Sequence, residues 1–365
     1  APTGGAMPLR VFAVSLAIFL LPACAPSAAP SPPGTATAGQ PPAAPAAAGS
    51  TAAAPKTGAP STTLRYAVVG VSWASAPDLV AQNQGFYGAE NLNVATVVAG
   101  QSAAACQQVL AKAAEIGGCS ISDMIQAVEA SDAPLVQFMR EYAQPLNYSM
   151  MARPEIKTWG DLKGKTIMVG GPQDNTVFFT RAMARPNGLK DEDYQFQFAG
   201  ASSARFAALK SGAVDAAILT DPFDYNAQQE GFTSVDVLVP KYINGDTYGY
   251  AIHMVHKDWA KDHADEIVRY TRAFLHAIQW MYDPANKDAF FAAVGSKLNV
   301  DQAGFDRLYK KDIQDGKFWS VDGQVTEQGT QGVLNSLVEL GTLKQPTPPP
   351  TKYFDLTWWK QATGK

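Results

Sequence analysis

From residue 62 onward, short apolar runs with strand character alternate with stretches whose apolar positions recur at the helical period. Leu64 to Val71 reads as a strand, and Asp78 to Gln84, with Pro77 at a first helical position, as a short helix stopped by Gly85. Val94 to Val98 is the next strand, Gly100-Gln101-Ser102 opens a helix, Ile116 to Ser120 is a third strand, and a further helix starts near Ser122. Pro134 to Tyr142 and Leu146 to Ala152 complete the first run as two strands. The alternation then restarts: strand Thr166 to Val169, helix Thr176 to Ala184, strand Tyr194 to Phe198, helix Ser202 to Lys210, strand Val214 to Leu219, helix Pro222 to Glu230 and strand Val235 to Val239. After a strand at Gly249 to Val255, helical patterns follow at Trp259 to Tyr282, Ala285 to Lys297, Asp301 to Lys311 and Thr326 to Leu340, then an aromatic tail, Tyr353 to Trp359. Strands alternating with helices at this spacing predict βαβ units, hence an α/β protein with mostly parallel sheets in two blocks.

The first sixty residues follow other rules. Met7 opens a leader in which Arg10 precedes the apolar run Val11 to Leu21 and then Pro22-Ala23-Cys24. This is the pattern of a secretory signal peptide, too short for a membrane span, and its end resembles a bacterial lipobox, which implies a lipid on Cys24. Residues 25–61 are almost entirely Ala, Pro, Gly, Ser and Thr with Lys56 as the one charge. Such a segment buries too little apolar surface to offset its ordering entropy and is expected to be a disordered tether.

Composition narrows the classes. The chain has 365 residues, 46% hydrophobic and 17% charged, enough for two globular domains. A net charge of -4 gives no reason to expect a nucleic-acid partner. The cysteines are Cys24, Cys106 and Cys119, the histidines His253, His256, His263 and His276, and no Cys/His cluster has metal-ligand spacing, so neither a metal nor a cofactor is expected.

Four motifs then occur in order: Val80-Ala81 with Gly85-Phe86-Tyr87; Asp161-Leu162-Lys163-Gly164-Lys165 before a strand; Ala207-Ala208-Leu209 with Gly212 and Val214-Asp215-Ala216-Ala217; and Thr220-Asp221-Pro222. Together they resemble the SsuA/THI5-like solute-binding proteins of ABC importers, of the alkanesulfonate, taurine, nitrate and thiamine-precursor type, over Thr62 to about Trp280. The resemblance implies a periplasmic binding protein-like fold of type II, with two α/β lobes joined by a two-strand hinge and closing on ligand in the cleft between them. The lobes are expected at residues 62–152 plus 249–365 and at 153–248. The implied function is an exported, lipid-anchored, monomeric receptor, facing periplasm or cell exterior, that delivers a small molecule to an ABC permease without changing it covalently. A ligand sensor for a membrane partner needs the same cleft. A THI5-like pyrimidine-synthesis enzyme is the third reading; those relatives consume their own histidine and need a cysteine-rich iron motif, which this pattern of Cys and His does not offer.

In open α/β sheets ligands sit beyond the carboxyl ends of strands, so the strand-to-helix turns supply the candidate site. These are Ser72, Trp73 and Ser75; Gln101 and Ser102; Ser120, Ser122 and Asp123; Gln173, Asp174, Asn175 and Thr176; Ser202 and Ser203; and Thr220, Asp221 and Tyr225, with Tyr248 and Tyr250 near the returning crossover. Each Ser, Thr, Asp or Asn is also an ordinary helix cap; the set of turns, taken together, points to a cleft. Trp73 has two readings, a flat face for a planar ligand or a lid over the core. Helix N-termini and hydroxyls alone can hold a sulfonate or nitrate, but Asp123, Asp174 and Asp221, with Trp73 and the tyrosines, favour a neutral or amine-bearing, aromatic or heteroaromatic solute over a simple anion. Cys106 in a helix and Cys119 on the following strand lie within reach of each other either as a disulfide or as two small buried thiols.

Overall fold

The computed structural model describes residues 61–143, 148–238, 242–243 and 248–365. The leader with Cys24, the tether up to residue 60 and parts of both expected hinge segments lie outside them. The first block runs β1 (Thr62–Val68), α1 (Ala76–Asn83), α2 (Phe86–Ala89), β2 (Leu92–Val98), α3 (Ser102–Leu110), β3 (Ile116–Ser120), α4 (Ile121–Ser131) and β4 (Leu135–Arg140). The second runs β5 (Ser149–Ala152), β6 (Thr166–Val169), α5 (Asn175–Ala184), β7 (Gln195–Phe198), α6 (Ser202–Lys210), β8 (Ala216–Leu219), α7 (Phe223–Gln229) and β9 (Thr233–Val237). Then come β10 (Ala251–His256), α8 (Lys257–Asp262), α9 (Ala264–Tyr282), α10 (Lys287–Leu298), α11 (Gln302–Tyr309), α12 (Glu327–Glu339) and α13 (Thr357–Thr363).

Two five-stranded sheets result, ordered β2-β1-β3-β10-β4 and β7-β6-β8-β5-β9. Each has a parallel core: β1 pairs in parallel with β2 and β3, and β6 with β7 and β8. Each also takes in one antiparallel strand, β10 between β3 and β4 and β5 between β8 and β9. The chain therefore passes between the sheets twice, after β4 and after β9, and each passage delivers the antiparallel strand of the sheet it enters. The sequence reading put Ser149–Ala152 at the end of the first lobe; these residues are β5, with Met150 opposite Ile218 in the second sheet. Local pattern makes a strand of them but carries no information about which sheet it joins.

The interior β strands read as apolar runs because helices cover both faces. In β6, β8 and β10 nearly every side chain is buried. The apolar stripe of α9, Ile267, Tyr270, Phe274, Ile278 and Met281, has helical spacing and packs against the first sheet and α1. Each such side chain contributes roughly 1.5–3 kcal/mol on burial. Two helices differ from expectation: the predicted helix Trp259 to Tyr282 is split into α8 and α9 at His263, and the chain after α11 widens into a π-helical turn over Lys310–Asp315.

Candidate ligand-binding cleft

The same strand-turn-helix device faces the cleft from both sides. After β2, Gly100 takes a left-handed backbone (φ +80°) that turns the chain into α3, and after β7 Gly200 stands at the corresponding place before α6 without a left-handed φ. Ser102 begins α3, and its hydroxyl accepts from the Ser120 backbone N–H at 2.9 Å and donates to Ser120 Oγ at 3.1 Å. Ser202 begins α6 in the same way: its Oγ accepts from the Thr220 N–H at 3.2 Å and lies 3.0 Å from Thr220 Oγ1. In each lobe a helix start is thereby tied to the carboxyl end of the neighbouring strand, β3 or β8. Between the turns lies a cavity of about 120 Å³.

Of the residues expected to line it, Ser72, Ser75, Ser102, Ser120, Asp174, Thr176, Ser202, Ser203, Thr220 and Tyr250 do. Asp123 stands behind them, its Oδ2 accepting from Ser120 Oγ at 2.6 Å. Gln101 and Gln173 are exposed at the edges, where the Gln173 carbonyl accepts from Gln126 Nε2 across the lobes at 3.2 Å. Asn175 is the first residue of α5 and Tyr248 packs on that helix: the Tyr248 hydroxyl donates to Asn175 Oδ1 at 2.8 Å and its ring stacks on Phe178.

Three expected positions belong elsewhere. Trp73 is 2% exposed, stacked on Phe290 at 5.5 Å and packed on Trp319, because α10 and the 318–319 segment close over it. Asp221 is turned away from the cavity and bridges the lobes instead, with Arg307 on Oδ1 and Lys311 on Oδ2. Tyr225 lies under the Arg307 guanidinium at 4.9 Å, part of the same bridge. Burial works to raise the Asp221 carboxyl, but Lys311, a hydrogen bond with Asp224 and Arg307 hold it below the usual carboxylate range. Its neighbour Asp224 is pushed up to about 8 by burial and by the Asp221 charge. The backbone repeats the link, the Trp73 N–H donating to the Asp221 carbonyl at 3.2 Å.

The cavity also has walls that the turns did not announce. Tyr66 on β1, Asp78 on α1, and Glu141 and Tyr142 just after β4 form its deep end in the first lobe. Nothing in their local sequence marks them as lining residues, and only the folded sheet shows that they face a void. Tyr148 and Tyr250, on the two passages between the sheets, meet hydroxyl to hydroxyl at 2.5 Å. Arg205 reaches the cavity from α6, with its guanidinium donating to the carbonyls of Ile218, Ala199 and Gly200 and to Ser202 Oγ. Cys119 is in the cavity wall; its Sγ is 2.8 Å from that of Cys106 and both thiols are free.

Two α/β lobes of like topology, each receiving a strand from the other, with a cavity at the strand carboxyl ends between them, define the class of two-lobed periplasmic binding protein folds. The NMT1/THI5-like family profile matches residues 73–287, and the chain belongs to that family. Among solved structures it is similar to the periplasmic nitrate-binding protein NrtA from Synechocystis PCC 6803 (TM-score 0.65, 13% identity, covering 83% of this chain and 88% of that one). It is similar also to the periplasmic aliphatic sulphonate binding protein SsuA from Escherichia coli (TM-score 0.59, 16% identity, 83% and 99%). The same fold occurs in the desulfurization enzyme DSZB (TM-score 0.58, 14% identity, 83% and 99%). Among curated proteins none matches the chain in sequence.

Proposed function

We propose that the protein is an extracytoplasmic solute-binding lipoprotein that captures a small organic molecule between its lobes and hands it to an ABC permease. The observation that carries this reading is the cavity itself. It is lined from both lobes by hydroxyls at helix starts, Ser102 and Ser202, and apart from it a bridge of Asp221 with Arg307 and Lys311 joins the lobes. A site divided between two bodies gains its full set of contacts on closure, so ligand binding favours the closed form. Cys24 carries the lipid, and the tether after it lets the receptor reorient beside the membrane. Among the described residues no helix is long and apolar enough to cross a membrane.

The enzyme reading has one footing, the desulfurization enzyme of like fold together with a cysteine in the cavity wall. Burial pushes the Cys119 thiol well above the ordinary thiol range, with Cys106 adding to the shift, so it is a poor nucleophile near neutral pH. Native mass spectrometry of the exported chain, incubated with a small-molecule extract, tests the proposal. A retained solute of unchanged mass is expected; a covalent adduct or a converted product would replace the transport reading with the enzymatic one.

A further inference from the structure

We propose that the deep end of the cavity is a subsite for a cationic nitrogen group, an ammonium or amidinium, held by Glu141 beside Asp78 within a wall of tyrosines. The inference rests on the solute-binding reading above and specifies the ligand's chemistry.

Two carboxyl side chains line this end of the cavity, Asp78 at 2% and Glu141 at 5% exposure. Among the described residues neither has a Lys or Arg partner. Their situations differ in a way that bears on function. Asp78 is satisfied by neutral donors of its own lobe: the Tyr87 hydroxyl at 2.9 Å, Thr96 Oγ1 at 2.7 Å and Gln82 Nε2 at 3.0 Å. Burial raises the Asp78 carboxyl above its usual range and the three donors lower it only in part, but they fill its acceptor sites from within the lobe. Glu141 has no such set; its polar neighbours are the Tyr142 hydroxyl and His253 Nε2 at 3.8 Å. Burial lowers His253 to about 3, so its ring is neutral and supplies no counter-charge. Burial, with the Asp78 charge adding to it, raises the Glu141 carboxyl well above the usual range, which is the cost of a buried acid without a cation. A ligand cation would remove that cost.

The features that would favour an anion are already answered within the protein. Asp174 caps α5, accepting from the Thr176 N–H at 2.8 Å, and Asp123 occupies the first turn of α4, so two of the helix N-termini at the cleft face their own carboxylates. Arg205 is the cationic side chain among the described lining residues, and carbonyls and Ser202 take most of its N–H groups. Size agrees as well: the whole cavity, about 120 Å³, is smaller than the roughly 150 Å³ that holds benzene, which suits a group as small as an ammonium or amidinium.

The test is calorimetry and thermal shift with matched small probes at millimolar concentration: n-butylammonium, acetamidinium and tetramethylammonium against 1-butanol, 1-propanesulfonate and nitrate. The cations are expected to bind and raise the melting temperature while the neutral and anionic probes do not. Glu141→Gln, which keeps shape and removes the charge, should weaken cation binding by about tenfold or more, and Asp78→Asn less so. If Glu141→Gln does not fold, the wild-type probe series decides alone. Equal cation binding by wild type and Glu141→Gln, preferential binding of propanesulfonate or nitrate, or no response to any cation would each overturn the inference. Anion binding would leave the solute-binding reading standing, whereas failure of that reading shows independently, as a chain that retains no unmodified solute from the extract.

Discussion

Asp221 lies at a turn that favours ligand contact, yet both of its oxygens are taken up by Arg307 and Lys311 of the other lobe. Removing the charge with Asp221→Asn leaves two cations without their shared partner. Those side chains are 35% and 31% exposed, so solvent relieves part of the penalty and the expected loss is about 1–3 kcal/mol, below that for a fully buried pair. Urea unfolding measures it, and an unchanged midpoint would mean the bridge contributes nothing. Trp73 makes the complementary point. Its indole stacks within Phe290 and Trp319, so its value lies in core packing and not in a ligand face.

At the scale of elements, the two turns that open α3 and α6 form opposing jaws. A Cβ added to Gly200 would fall 2.4 Å from Gln101 Cγ and 2.4 Å from the Gly100 carbonyl oxygen. The side chain can yield but the carbonyl cannot, so Gly200→Ala is expected to hold the jaws apart while leaving each lobe folded. Hydrogen exchange at the amides of residues 100–102 and 200–202 should then quicken with the melting temperature little changed; unchanged exchange would show that the jaws need no such contact. The turns were legible in the chain because a strand end, a glycine and a Ser or Thr occur together at Gly100 to Ser102 and again at Gly200 to Ser202. Asp78 and Glu141 were not, because one sits in a helix and the other at a strand end, and neither position differs locally from an ordinary solvated acid.

Across the whole molecule, charge couples the lobes. Asp123 at the start of α4 and Asp174 at the start of α5 belong to different lobes, and burial, then the Asp174 charge, pushes Asp123 up to about 6 from an ordinary 3.8. A raised carboxyl contributes stability that is fully present below its unfolded value and is lost as pH rises through the folded one. The contribution from Asp123 is therefore lost between pH 3.8 and about 6. Asp123→Asn, neutral at every pH, should flatten that part of the stability profile, seen as a wild-type minus variant difference in melting temperature that falls across the window. A difference independent of pH would show that neither burial nor the Asp174 charge raises Asp123.

By itself the sequence determined what neighbours along the chain decide: the alternation of strands and helices, the two α/β blocks, and the polar turns Ser72, Ser102, Ser120, Asp174, Thr176 and Thr220 that line the cavity. Propensity, capping and turn chemistry act over a few residues, so they can be read from a few residues. Only the tertiary structure decided that Ser149–Ala152 joins the second sheet, that α10 closes over Trp73, that Asp221 meets Arg307 and Lys311, and that Glu141 faces a cavity without a cation. Each of those outcomes depends on partners far along the chain, and the direction of a side chain at a turn is set by what packs against it, which local pattern does not encode.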